Sequence, residues 1–243
     1  MTGLAYKEFR QNLKPIIACL ILPALIAYLF CSVCIIESAG DRDSKPLMDT
    51  IRGGEYIMVW FAFLILAFIA GAFCQGMVFR GDDRKLWAYF VASSPDGIRG
   101  YLRIKYELTF IMVLFTMFSL QLGSWIMFLI CASHGADWYN FAAFIIIFSY
   151  MQLLFRGIEI PFTLRFGVKN GSTIKLILLV VLCIVFIIIY MMYEEAVTNF
   201  LEDGGKILDF LLTFMPALSL AAYYLSYKLS VRLYMKGAEE YDK

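Results

Sequence analysis

Six stretches of this chain are long and apolar enough to cross a bilayer core as helices, which takes about 20 residues each. They are approximately Pro15–Ile36, Tyr56–Phe79, Leu108–Ala132, Trp138–Gly157, Ile174–Tyr193 and Phe210–Tyr227. Hydrophobic residues make up 61% of the sequence and charged residues 17%. A chain this apolar cannot give itself a polar shell in water, so the class is integral membrane protein. Runs such as Leu176–Tyr193 show no alternation of apolar and polar residues. That excludes the short alternating segments of a transmembrane β-barrel and leaves a helical bundle, because only structures that close all their own backbone hydrogen bonds survive in lipid.

Basic residues set the expected orientation. Seventeen of the 21 Lys and Arg fall on one side of the six runs: Lys7, Arg10 and Lys14; Arg80, Arg84, Lys85, Arg99, Arg103 and Lys105; Arg156, Arg165, Lys169 and Lys175; Lys228, Arg232, Lys236 and Lys243. Only Arg42, Lys45, Arg52 and Lys206 fall on the other. The fold class expected is therefore an all-α membrane domain over residues 1–243, with six transmembrane helices and both termini cytoplasmic. Residues 1–14 are expected to form a basic amphipathic helix at the inner surface, with an ordinary positive-inside anchor as the alternative, and no cleavable signal peptide is apparent. The net charge of +1 gives no reason to expect nucleic acid as a partner; membrane lipid is the expected surround.

The six cysteines, Cys19, Cys31, Cys34, Cys74, Cys131 and Cys183, all lie in apolar runs without metal-ligand spacing, and the single histidine is His134. They read as small packed side chains, with a disulfide at the outer end of the first span as the alternative. Polar residues within spans are costly, so Gln75, Gln121 and Gln152 are candidates for a pathway or for helix–helix hydrogen bonds, as are Ser119, Ser124 and Ser149. Glu194 and Glu195 cap the outer end of the fifth run, as pathway candidates or as solvated termini. Ala67 with Gly71 and Ala72 with Gly76 are spaced for close helix packing, and Pro23 and Pro216 for kinks.

The one long polar interruption is residues 81–107, GDDRKLWAYFVASSPDGIRGYLRIKYE. Asp82 and Asp83 suit a helix start. Leu86 with Phe90, and Trp87 with Val91, share an apolar side. Ser94-Pro95 stops that helix, and Pro95-Asp96-Gly97 is a turn. A second helix then runs into the third span, with Arg99, Arg103 and Lys105 expected at the headgroups and the Tyr101 and Tyr106 rings at the interface. The segment reads either as a membrane-surface anchor or as a docking element for a cytoplasmic partner.

Asp83, Trp87, Ser93, Pro95, Arg99, Tyr101, Lys105 and Tyr106 together resemble the coupling segment of ABC-2 type transporter permeases of the small six-helix subfamily. A second stretch, IPFTLRFGVKNGS, is similar to that family's pattern after the fourth span, through Ile160, Pro161, Arg165, Phe166, Gly167 and Gly171. It departs from the pattern in having Arg165 for Lys and a shifted Lys169-Asn170. The permease subunits of phenol-soluble modulin exporters look alike in size and in both motifs. The resemblance implies a bacterial cytoplasmic-membrane exporter subunit for amphipathic peptides. It implies pairing with a second permease subunit, identical or not, and with two ATP-binding subunits. No cofactor is then expected on this chain; ATP and Mg would sit in the partner, since no G-x-x-x-x-G-K-[ST] occurs here. The coupling helix would dock through Asp82, Asp83, Arg84, Lys85, Leu86, Trp87, Phe90 and Pro95, with Pro161, Arg165, Phe166, Gly167 and Lys169 in a second cytoplasmic loop. The rival classes are an ion-gradient-driven transporter and a non-transporting scaffold. An intramembrane protease, suggested by Glu194-Glu195, lacks its basic partner, since Asn199 stands in that place.

Overall fold

In the computed structural model the residues described are 2–40, 55–82, 97–133, 142–166 and 204–240, with Thr173, Ile177 and Val181. Side chains are described mainly within 3–26, 65–79, 97–126, 142–166 and 209–234. Six α-helices occupy these residues: α1 Thr2–Gln11, α2 Leu13–Gly40, α3 Glu55–Gly76, α4 Gly97–Ser133, α5 Ala142–Phe166 and α6 Gly204–Glu240. A 3-10 helix, Met77–Asp82, follows α3. Among the described residues, three segments are long and apolar enough to cross a membrane: Gly97–Ile126, Ala142–Phe166 and Asp209–Tyr234. Gly3–Gln11 and Leu13–Ile26, bent by 50° at Asn12, make a fourth if taken as one broken span. The expected fifth span lies almost wholly outside the described residues; Ile177 and Val181 within it are helical and exposed.

Several helices outrun the apolar cores from which they were expected. At 37 residues, α4 and α6 are each about 55 Å long, well beyond a hydrocarbon core of roughly 30 Å. Their polar extensions carry Arg99 to Glu107 on α4 and Lys228 to Glu240 on α6. The start of α4 is set by Gly97, whose φ of 59° lies in the left-handed region that costs glycine little. Gly97 is the one residue of the expected Pro-Asp-Gly turn that is described; Pro95 and Asp96 lie outside the described residues. Exposed Ile111, Leu114, Phe118, Leu122 and Trp125 follow one another at three- and four-residue spacing on α4, a stripe suited to lipid.

The described helices group into two compact units. One comprises residues 1–8, 79–108 and 150–243; the other comprises 9–78 and 109–149. In the second unit α2 and α3 pack along each other. Gly71 is what allows α3 to approach α4: a Cβ there would lie 2.6 Å from Thr116 Cγ2. Thr116 is itself fixed, its hydroxyl donating to the Met112 carbonyl at 2.9 Å and accepting from Gln75 Nε2 at 3.3 Å. Phe68 and Phe148 pack with ring centroids 5.3 Å apart. Pro23 removes a donor from α2, and beside it the Ser119 hydroxyl accepts from the Ala24 amide at 3.0 Å and donates to the Leu20 carbonyl at 2.5 Å. Those are two groups that an uninterrupted helix ladder would join to each other.

Candidate functional site

The other unit holds the charged chemistry. Tyr101 and Leu102 of α4 are buried, and Leu4 of α1, Leu164 of α5 and Tyr227, Val231 and Tyr234 of α6 pack around them. Lys105 lies one turn further along α4. It was expected among the headgroups, but the structure seals it completely: its side chain and that of Glu8 are both 0% exposed, and Nζ sits 2.7 Å from Glu8 Oε2. A lysine held away from water must have its charge compensated, and the carboxylate does so. Two rings complete the cage. Nζ lies 5.7 Å from the Phe79 ring centroid and 5.6 Å from that of Tyr101, within cation–π range. Lys7 stands 3.7 Å from the other Glu8 oxygen.

Tyr101 and Tyr106 likewise are core residues, not interfacial rings. The Tyr106 hydroxyl lies 2.7 Å from both Ser226 Oγ and Ser230 Oγ of α6. Ser226 donates its own proton to the Gly157 carbonyl of α5. It must therefore accept from Tyr106, which in turn accepts from Ser230, since each hydroxyl has one proton to give. The Tyr223 hydroxyl donates to the Tyr106 carbonyl at 2.8 Å, and the two rings pack with centroids 5.0 Å apart. Pro161 explains why Gly157 needs an outside donor: proline has no N–H to offer the carbonyl four residues back.

This corrects the reading of residues 160–166. They are not a cytoplasmic loop but the last turns of α5, with Pro161 buried and Arg165 and Phe166 exposed at its end. Helix continues through the proline because the Gly157 carbonyl is satisfied from α6. Arg156, counted among the loop bases, lies inside α5, 4% exposed and paired with Glu159 at 2.5 Å. Gly167 and Lys169 lie outside the described residues.

Among the docking candidates, the structure places Asp82 as the last residue of the 3-10 helix, not as a helix start. Asp83, Arg84, Lys85, Leu86, Trp87, Phe90 and Pro95 lie outside the described residues, as do Glu194, Glu195 and the Cys31 and Cys34 side chains. Of the pathway candidates, Gln75 is buried and spent on Thr116, Gln152 is buried, and Gln121 is exposed. Cys19 and Cys74 are buried free thiols, Cys19 donating weakly to the Gly71 carbonyl. Sequence reasoning missed Glu8, although it is the one acid among the basic residues 1–14. It also missed Ser226 and Ser230, which lie one helical turn apart on α6 and on the side of Tyr223 and Tyr227.

Residues 47–235 match the family described as ABC-2 family transporter protein. The chain belongs to the ABC-2 transporter family. The match spans the polar segment, Lys105-Tyr106, Pro161 and Ser226 to Ser230, so both motifs lie inside the family region, while Glu8 and the rest of α1 precede it. An ABC-2 permease is a membrane transport component, and the family normally pairs with ATP-binding subunits. No curated protein and no solved structure matches the chain.

Proposed function

We propose that this chain is the transmembrane permease subunit of an ATP-driven exporter in the bacterial cytoplasmic membrane. In this reading it has six spans with both ends cytoplasmic. The observation that carries the reading is the family match over residues 47–235, which includes the polar segment between the second and third spans. Two such permeases, identical or paired with a second kind, enclose a pathway, and two ATP-binding subunits sit beneath them with ATP and Mg. Trp87, flanked by Leu86 and Phe90, is the anchor in a groove of the ATP-binding subunit, because tryptophan fits well-packed interface pockets. Asp82, Asp83, Arg84 and Lys85 supply the polar pairs around it. Closure of the ATP-binding subunits on ATP tilts the spans and exchanges inward for outward access.

The substrate class we assign is amphipathic helical peptides. This assignment rests on the sequence resemblance of both motifs to those of phenol-soluble modulin exporters; the apolar composition of the spans suits a peptide, a lipid or a drug alike. The test is copurification of an ATP-binding subunit with the tagged chain, followed by ATP-dependent uptake of a fluorescent amphipathic peptide into inside-out vesicles. Trp87→Ala combined with Leu86→Ala and Phe90→Ala is expected to abolish both. Unchanged copurification and uptake would sink the docking assignment. Uptake that follows an ion gradient, with no ATP-binding partner, would replace the exporter reading with a secondary transporter.

A further inference from the structure

The charged cage around Lys105 sits at both ends of the docking segment. Phe79 belongs to the 3-10 helix Met77–Asp82, which leads into the segment. Tyr101 belongs to the first turns of α4, which leads out of it. The Lys105 ammonium lies over both rings, at 5.7 and 5.6 Å, and its 2.7 Å partner, Glu8, comes from α1. One cation thus ties the two flanks of a 14-residue segment, 83–96, to a third helix that is remote in sequence.

From this arrangement we infer that Lys105 is a positioning residue of the transport cycle: with Glu8 it clasps α1 to the flanks of the docking segment, so that force delivered to the segment moves α1 with it. The inference rests on the reading of residues 83–96 as the docking site for an ATP-binding subunit. Three observations favour a clasp over a simple anchor. Lysine has the reach to extend to headgroups, and Arg103 on the same helix stays exposed, paired with Glu107, yet Lys105 turns inward. A buried ion pair is a poor source of stability compared with apolar packing, so an anchor would need no charge here. It is, however, directional, since breaking it leaves a charge in a sealed site, so the elements it joins stay joined through movement. The neighbouring Tyr101–Leu102 packing already supplies the apolar adhesion among α1, α4 and α6.

The experiment uses the full complex with its ATP-binding subunits, on a background with native cysteines replaced. A bimane fluorophore is placed on α1 at Tyr6→Cys, a position 64% exposed. With the native pair, trapping with ATP and orthovanadate is expected to shift the bimane emission. In Glu8→Gln/Lys105→Met, which removes both sealed charges and leaves only the exposed Lys7 without its carboxylate, the shift should fall by at least about fivefold while ATP hydrolysis stays within about twofold. The reversed pair, Glu8→Lys/Lys105→Glu, should restore it. An unchanged shift in the neutral variant would overturn the clasp. So would a neutral variant that loses the ATP-binding subunits or disappears from the membrane, which would make the pair a structural anchor. If the native chain recruits no ATP-binding subunit at all, the exporter reading fails, and this inference goes with it; that outcome is distinct from a recruited complex whose α1 does not respond.

Discussion

The residues around Lys105 and those around Gly71 are both sealed from solvent, and they hold helices together by different means. At Gly71 the helices touch by the removal of side chain: a missing Cβ lets α3 approach Thr116, and neutral hydroxyl and amide groups close the contact. At Lys105 helices are joined through long side chains, an ion pair and a run of hydroxyls from Ser230 through Tyr106 and Ser226 to Gly157. The first kind of contact is cheap to desolvate and intolerant of added volume. The second tolerates volume but not the loss of a partner. Membrane helices use the first widely, because lipid offers no hydrophobic force to press helices together. The second concentrates here at the polar extensions of α4 and α6, beside the segment expected to meet another protein.

That contrast gives an ordered set of expectations. The largest effect belongs to Lys105→Met alone, which takes from the sealed Glu8 carboxylate its 2.7 Å partner and leaves it the more distant, exposed Lys7. A loss of about 3–5 kcal/mol in unfolding free energy is expected, with Glu8→Gln/Lys105→Met losing much less. A double variant as damaged as the single one would show that the lysine stem, not the charge, matters. Next is Gly71→Ala, whose new methyl must displace a Thr116 side chain fixed by two hydrogen bonds. About 1–3 kcal/mol is expected, against under about 1 kcal/mol for Gly157→Ala, where a Cβ would find Tyr223 at an ordinary 3.5 Å. Equal costs would break the distinction between the two regions. Gly97→Ala meets no neighbour within 4 Å, so only its φ of 59° is penalised, at about 1 kcal/mol. Ser226→Ala removes the donor to Gly157 and the acceptor for Tyr106, and about 0.6–1.7 kcal/mol is expected. Each is read from denaturant or thermal unfolding of the purified chain in one detergent. The smallest effect belongs to Glu107→Ala: its pair with Arg103 is 2.7 Å long but exposed on both sides, and no measurable change in stability is expected.

The apolar runs made the helices legible, and their ends were misjudged for a physical reason. Hydropathy marks where lipid is, not where helix stops. Helix α5 passes through Pro161 to Phe166 because a serine on another helix takes up the carbonyl that proline abandons. Nothing within residues 157–166 announces that. Gly71 was readable from its spacing with Ala67, and its neighbour Thr116 was not. Pro23 was readable as a kink, and Ser119 as an unusual polar residue, but their meeting depends on two helices 95 residues apart in sequence. Lys105 was misassigned because a lysine at a helix end ordinarily reaches for water. Only a carboxylate at a fixed position can reverse that preference.

By itself, then, the sequence determined that the chain is a helical membrane protein. It determined the asymmetry of its basic residues and the motifs that place it in its family. Those properties depend on local composition and on transfer of side chains between water and lipid. The tertiary structure alone decided which buried polar groups are paired: Glu8 with Lys105, Gln75 with Thr116, Ser226 with Gly157 and Tyr106. The cost of a polar group in a closed site depends on the partner within about 3 Å of it, and that partner is chosen by how helices pack, not by what stands beside it in the chain.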